Sequence, residues 1–193
     1  PDNYTPIDPS VEGHLEGIDN ALINPPVNVI TQQLWVNELN GNDANDGGIN
    51  SPFETYDAAR IFAKTIATST DYVLINILGN QTISGDLTVS PYIVVDGNNS
   101  GVIAASGDMV IDADFLALNN TVTNWYNCKF SLNSIDFNWG AGDANIIFLR
   151  NCEYPNVPLL SITSPNTNTF GNGLSIDGAV DQFYLPFSAG INV

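Results

Sequence analysis

The sequence predicts an all-β fold, a right-handed parallel β-helix that begins near residue 34, with a short N-terminal helical segment and a capping helix. Two observations lead to this prediction. From residue 71 onward, short apolar strands alternate with turns rich in Gly, Asn and Asp, and parts of this pattern recur after 22 and 24 residues. A repeat of roughly 20 to 30 residues without long helices is typical of a solenoid whose coils are made of strands.

Two matched segments carry the repeat. Residues 93–99 (IVVDGNN) match residues 115–120 (FLALNN), and residues 127–130 (NCKF) match residues 151–154 (NCEY). Residues one coil apart in a β-helix lie about 4.8 Å from each other. We therefore expect Asn127 and Asn151 to stack at a turn. Cys128 and Cys152 should lie side by side in the core, as a disulfide or, preferably, as two free buried thiols.

The chain divides into four segments. Residues 1–30 are predicted to be an attachment or oligomerisation segment and a linker that contains Pro25 and Pro26. Residues 31–70 form an N-terminal cap with a strand at 34–36, a Gly/Asn/Asp loop and an amphipathic helix. Residues 71–165 form the coils, and residues 166–193 form a C-terminal cap or an interface. The strands predicted in the coils are residues 73–78, 87–89, 93–95, 109–111, 115–118, 135–137, 146–149 and 159–162.

Composition and charge exclude several classes of function. Hydrophobic residues make up 44% of the 193 residues and charged residues only 13%, which is typical of a globular chain. Four Lys and Arg face 21 Asp and Glu, so the net charge is −17, and there is no basic footprint for nucleic acid or anionic lipid. With one histidine, two cysteines and no CxxC pair, we predict neither a metal site nor a cofactor. No apolar run is long enough for membrane insertion.

Apolar residues in the first segment follow a coiled-coil pattern. Val11, Leu15, Ile18 and Leu22 recur at spacings of four, three and four residues. Two heptads are too short to form a stable helix alone in water. The segment therefore packs on its own domain or bundles with identical copies, and we prefer self-association.

The region after residue 34 resembles a known fold family. Residues 34–36 (LWV), 41–47 (GNDANDG) and 51–59 (SPFETYDAA) resemble the N-terminal entry of pectin-lyase-like β-helix proteins. With the coils, the resemblance covers roughly residues 34 to 165. It implies the fold, whereas lyases, hydrolases, epimerases and viral spikes share that fold, so it does not decide the function.

A second resemblance suggests where the protein acts. Residues 14–22 (HLEGIDNAL), which follow residues 3–6 (NYTP), are similar to the HLxGIDxAL segment of bacteriophage tail-fibre and other virion proteins. The resemblance implies a structural or adhesive component of a viral fibre, tailspike or capsid decoration, in the virion or extracellular. We expect a homo-oligomer, a trimer, that contacts other virion proteins and host-surface carbohydrate.

Polysaccharide degradation is the alternative function. Enzymes that resemble this fold bind calcium through clustered Asp residues and use Arg or Lys as a base, and Asp112, Asp114, Arg150 and Lys129 are candidates for those roles. A glycoside hydrolase would need two carboxylates about 5–9.5 Å apart, and Asp96, Asp112, Asp114 and Asp136 offer no preferred pair. The acidic loop at residues 40–48 lacks the ligand alternation of an EF-hand, so a surface loop is the preferred interpretation. We therefore assign no catalytic residue.

Aromatic residues suggest a glycan-contact surface. Trp125, Tyr126 and Trp139 lie beside turn residues, and exposed Trp and Tyr rings stack well on sugars. Burial of these rings in the core is the alternative.

Overall fold

The computed structural model describes residues 29–112, 122–138, 146–156, 160–163 and 173–177. In these residues the chain is mostly β-strand with a single helix, and every sheet is parallel. This confirms the prediction of an all-β class. Predictions at residues 1–28 and at positions 114, 115–120 and 139 lie outside the described residues.

Fourteen strands in the described residues form three sheets. The first sheet has the order β1-β2-β5-β8-β11-β14, with β1 at Val29–Val36, β2 at Asp71–Ile77, β5 at Ile93–Asp96, β8 at Val122–Tyr126, β11 at Ile146–Arg150 and β14 at Gly173–Asp177. The second has the order β13-β10-β7-β4, with β4 at Leu87–Val89, β7 at Met109–Ile111, β10 at Ile135–Asn138 and β13 at Leu160–Thr163. The third has the order β12-β9-β6-β3, with β3 at Gln81–Ile83, β6 at Val102–Ala105, β9 at Lys129–Ser131 and β12 at Glu153–Asn156.

From β2 onward the chain visits the three sheets in a fixed order. Each run of three strands, such as β2, β3 and β4, supplies one strand to each sheet, and the next run adds a parallel neighbour to each. Alternate side chains of these strands point inward, as in β8, where Thr123 and Trp125 are buried. A single apolar core results, lined by side chains such as Ile75, Ile93 and Leu149.

The helix α1, at Tyr56–Ile66, confirms the predicted helix and closes part of this core. It packs against β1, β2 and β5 through Tyr56, Ala59 and Ala63, which are all buried. The sequence placed Phe62 on the buried face, but its side chain is 36% exposed. The small Ala59 and Ala63 allow the helix backbone to approach the strands, and Phe62 lies beside that contact line.

Side chains distant in sequence fix the start of α1. The Thr55 hydroxyl accepts a hydrogen bond from the Ala58 N–H at 3.2 Å, as an N-cap residue does. The Asp43 Oδ1 accepts from the N–H groups of Glu54 and Thr55 at 2.9 and 2.8 Å. The buried Gln81 accepts from the Tyr56 N–H at 3.0 Å. These contacts satisfy N–H groups that a helix leaves unpaired at its first turn.

One of the two predicted repeats has the wrong register. The sequence match paired residues 93–99 with residues 115–120, 22 residues further on. In the first sheet β5 instead lies between β2 and β8, with Val95 opposite Trp125 and Asp96 opposite Tyr126. The connection between these strands is longer than in the neighbouring repeats, so the sequence period is not constant.

The second predicted repeat is confirmed. Arg150 lies opposite Tyr126, and Glu153 lies opposite Lys129, which is the predicted offset of 24 residues. Asn127 and Asn151 have φ angles of 53° and 51°, in the left-handed region that Asn tolerates. The Asn151 side-chain amide donates to the Asn127 Oδ1 at 2.7 Å. The two residues therefore form the stacked turn that the sequence predicted.

Candidate functional site

Tyr126 lies on the outer face of the first sheet. Its side chain is half-buried, and its neighbours across the sheet are Asp96 on β5 and Arg150 on β11. The Arg150 guanidinium lies 4.3 Å from the centre of the Phe148 ring, in a cation–π contact. We call Asp96, Asn124, Tyr126, Phe148 and Arg150 the outer row.

The outer row combines the groups that carbohydrate recognition uses. Tyr126 offers a ring face and a hydroxyl, and Arg150, which is exposed, offers several N–H donors. The side chain of Asn124 is half-buried and provides both a donor and an acceptor. Adjacent strands hold these groups about 4.8 Å apart, so the row presents aromatic and polar groups together on a rigid surface.

Trp125 is not part of that surface. It is 1% exposed, and its ring centre lies 5.5 Å from that of Tyr56 and 5.8 Å from that of Phe130. Strand alternation points Trp125 inward because Tyr126 points outward. The glycan-contact prediction is therefore wrong for Trp125, which fills the core. Tyr126 keeps its place as a candidate, and Trp139 lies outside the described residues.

Asp112 forms a charged cluster between α1 and the second sheet. Its Oδ2 accepts from the Lys64 Nζ at 2.7 Å, from the Ser90 hydroxyl at 2.8 Å and from the Arg60 Nη1 at 3.3 Å. The Asp112 side chain is 10% exposed, and those of Arg60 and Lys64 are 15% and 28% exposed. Arg60 also contacts Asp57 at 3.2 Å. The carboxylate thus holds two of the four basic residues of the chain.

The other groups considered for catalysis lie on different sheets. Asp112 follows β7 in the second sheet, whereas Arg150 ends β11 in the first sheet and Lys129 begins β9 in the third. Lys129 forms an ion pair with Glu153 at 3.2 Å. The Oδ1 of Asp96 accepts from the Asn98 N–H and the Asn127 amide at 2.8 and 3.0 Å. These residues therefore have structural partners, and the partner of Asp112 is the helix.

The acidic loop at residues 40–48 folds around its own carboxylates. Asp43 binds the start of α1, and Asp46 accepts from the Gly48 N–H at 2.9 Å and from the Ser51 hydroxyl. The hydrogen bonds from Ser51 and Gly48 lower the pKa of Asp46 because they stabilise the charged form. Within the described ranges no three His, Cys, Asp or Glu side chains come together as a metal site would require.

Cys128 and Cys152 are free and buried, as the sequence predicted. Each thiol contacts the carbonyl of the residue two positions before it, Tyr126 at 3.0 Å and Arg150 at 3.4 Å. Burial, together with the adjacent Cys152 thiol, raises the pKa of Cys128 well above its ordinary value. The pair is therefore a poor nucleophile and part of the core.

The sequence analysis missed the contribution of α1 to the Asp112 cluster. Arg60 and Lys64 lie four residues apart, so they share one helix face. In a chain with only four basic residues, that spacing was a signal that the helix carries a paired cationic face. The partner Asp112 lies 48 residues beyond Lys64, and no local pattern indicates it.

Comparisons with known proteins leave the family open. No protein-family model, no curated protein and no solved structure matches this chain. In the part of the chain that the structure describes, no helix is long and apolar enough to cross a membrane.

Proposed function

We propose that this chain is a structural and adhesive module of a viral fibre, tailspike or capsid decoration of the bacteriophage type, built as a right-handed parallel β-helix of the pectin-lyase-like kind. The observation that carries the proposal is the return of the chain to each of three parallel sheets after every third strand. Connections between parallel strands of one sheet are right-handed in nearly all proteins. Stacked coils of this kind make a rigid stalk or display surface.

The contacts of the carboxylates support a structural role over polysaccharide cleavage. Asp43 fixes the helix start, Asp96 binds turn groups, and Asp112 joins α1 to the strands. A catalytic acid or base needs to reach a substrate proton. Asp112, surrounded by Lys64, Arg60 and Ser90, instead acts as an internal anchor.

The outer row is the proposed contact with host-surface carbohydrate. Neutral sugars suit it best, because a chain with a net charge of −17 repels polyanions. Tyr126 supplies the stacking surface, and Asn124 and Arg150 supply hydrogen bonds to sugar hydroxyls. In this proposal the residues with the spacing of a coiled coil, Val11, Leu15, Ile18 and Leu22, join three copies and leave the outer rows displayed.

Mass measurement by light scattering tests the assembly. We expect the intact chain to have the mass of a trimer and the double variant Leu15→Asp/Ile18→Asp to have the mass of a monomer, because buried charges break an apolar seam. The matched control is Glu12→Asp/Glu16→Asp, which keeps the charge of the same segment. A monomeric wild type would contradict the fibre proposal.

Binding to a panel of immobilised glycans tests the adhesive role. We expect binding that Tyr126→Ala lowers at least tenfold, whereas Thr82→Ala on the exposed face of β3 leaves it unchanged. The same panel, assayed for release of reducing sugars, tests the enzyme alternative. Cleavage that disappears in Asp112→Asn, with the fold intact by circular dichroism, would favour the enzyme instead.

A further inference from the structure

Exposed apolar side chains are confined to one end of the described structure. Six large hydrophobic residues are at least 36% exposed, and all of them lie between positions 29 and 62, namely Val29, Ile30, Leu39, Ile49, Ile61 and Phe62. Among the described residues from position 71 onward, no large hydrophobic side chain reaches that exposure. We call residues 29–66 the N-terminal unit. Contiguous exposed apolar surface often marks an interaction site.

The outward face of α1 is the most regular part of this surface. Ile61, Phe62 and Thr65 are all exposed, at spacings of one, three and four residues that place them on one side of the helix. Ile61 is 59% exposed. The charged residues Arg60 and Lys64 lie to another side and bind Asp112. The outward face is therefore uncharged and suited to helix packing.

Electrostatics favours an uncharged contact between copies of this chain. Two copies with a net charge of −17 each repel one another at long range. Like charges brought face to face would cost further free energy, so a homotypic contact requires a surface without carboxylates. Ile61, Phe62 and Thr65 meet that requirement.

The position of the N-terminal unit identifies the occupant. Only six residues, 23–28, separate Leu22 from β1, and they span at most about 20 Å when extended. Copies joined through residues 11–22 would therefore hold their N-terminal units close to one another. We infer that the outward face of α1, centred on Ile61 and Phe62, binds a second copy of this chain and continues the interface of the joined segments. This inference rests on the self-association in the proposed function.

Cross-linking through one introduced thiol tests the inference. Cys128 and Cys152 are 1% and 0% exposed, so a new surface cysteine reacts before them. We expect Ile61→Cys, treated with a short bismaleimide, to give covalent dimers of the full chain. Thr82→Cys, on an exposed position of β3, is the matched control and should stay monomeric. Equal cross-linking of both variants, or none at position 61, would overturn the inference.

Sedimentation of a charge variant separates this inference from the proposed function. We expect Ile61→Glu to weaken self-association at least tenfold, whereas Thr82→Glu should leave it unchanged. If wild type is a trimer and Ile61→Glu changes nothing, the interface on α1 is wrong and the trimer stands. If Ile61→Glu dissociates the assembly while Leu15→Asp/Ile18→Asp does not, the interface stands and the joining role of residues 11–22 is wrong.

Discussion

The N-terminal unit and the strands that follow it are stabilised by different kinds of contact. In the N-terminal unit, each contact occurs once and joins residues far apart in sequence, as between Asp43 and Thr55 or Lys64 and Asp112. In the later strands the same contact recurs from repeat to repeat. Asn127 and Asn151 share a turn conformation, and Cys128 and Cys152 contact equivalent carbonyls.

This difference has a consequence for stability. In a stack of repeats each unit is stabilised mainly by its neighbours, so damage to one position spreads only through adjacent repeats. A contact that occurs once has no equivalent nearby to replace it. We therefore expect the attachment of α1 to depend on a few side chains, and the stacked strands to depend on the shared core.

The largest effect is expected where the two regions meet. Trp125 on β8 packs against Tyr56 of α1 and against Phe130 of β9, and it is 1% exposed. Trp125→Ala leaves a large cavity, and such changes cost about 3–5 kcal/mol. Unfolding in urea, followed by circular dichroism, should show this loss in the free energy of unfolding.

The neighbouring position is the control for this prediction. Tyr126→Ala removes a ring from the outer face, and we expect a loss below about 1 kcal/mol, since surface changes are usually small. Equal losses for Trp125→Ala and Tyr126→Ala would mean that the core does not include Trp125.

The second prediction separates the two regions. Asp112→Asn removes the charge that binds Lys64 and Arg60, and loss of one partner of a mostly buried ion pair costs about 3 kcal/mol. Because the cluster joins α1 to the strands, amide hydrogen exchange should increase in Tyr56–Ile66 and stay slow in Ile146–Arg150. Mass spectrometry of peptides after exchange measures both segments.

Asp57→Asn provides the comparison for the cluster. The Asp57 side chain is 47% exposed and contacts Arg60 within the helix, so its removal should change stability by less than about 0.5 kcal/mol. A uniform increase of exchange over all strands in Asp112→Asn would show that α1 does not open separately.

The repeated region is also where the sequence was most informative. Asn127–Cys128 and Asn151–Cys152 could be paired from the sequence because a left-handed turn and a buried thiol restrict both positions. Six strands escaped prediction, and β3, β6 and β9 among them are only three or four residues long. With one or two inward side chains each, such strands show no clear alternation of apolar and polar residues.

The candidate site was only partly predictable for the same physical reason. Tyr126 and Trp125 are adjacent aromatic residues, and only the register of β8 decides which one is buried. Asp112 looked like a surface carboxylate because its partners on α1 lie about 50 positions earlier. Sequence spacing reports local periodicity, whereas these contacts depend on how distant segments pack.

The smallest expected effect comes from pH and involves the repeated core. The pKa of Cys128 is raised in the folded protein, whereas a thiol of the unfolded chain ionises near its ordinary value of 9.0. Between pH 9 and the folded value, only the unfolded state loses this proton. The free energy of unfolding should therefore be constant below pH 8 and fall above pH 9, by up to about 1.4 kcal/mol per pH unit. Burial also raises the pKa of Tyr56 above its ordinary value of 10.0, so Tyr56 adds a decrease of the same sign from about pH 10.

Urea unfolding at pH 8, 9 and 10, with Cys128→Ala as the control, separates the two groups. The variant should lose the decrease between pH 9 and pH 10 and keep the one above pH 10. Thiolate absorbance of the native protein at pH 9.5 provides an independent check, since a buried pair should show almost none. A strong thiolate signal there would mean that the core around Cys128 opens to solvent, and the repeated region would then be no more rigid than the N-terminal unit.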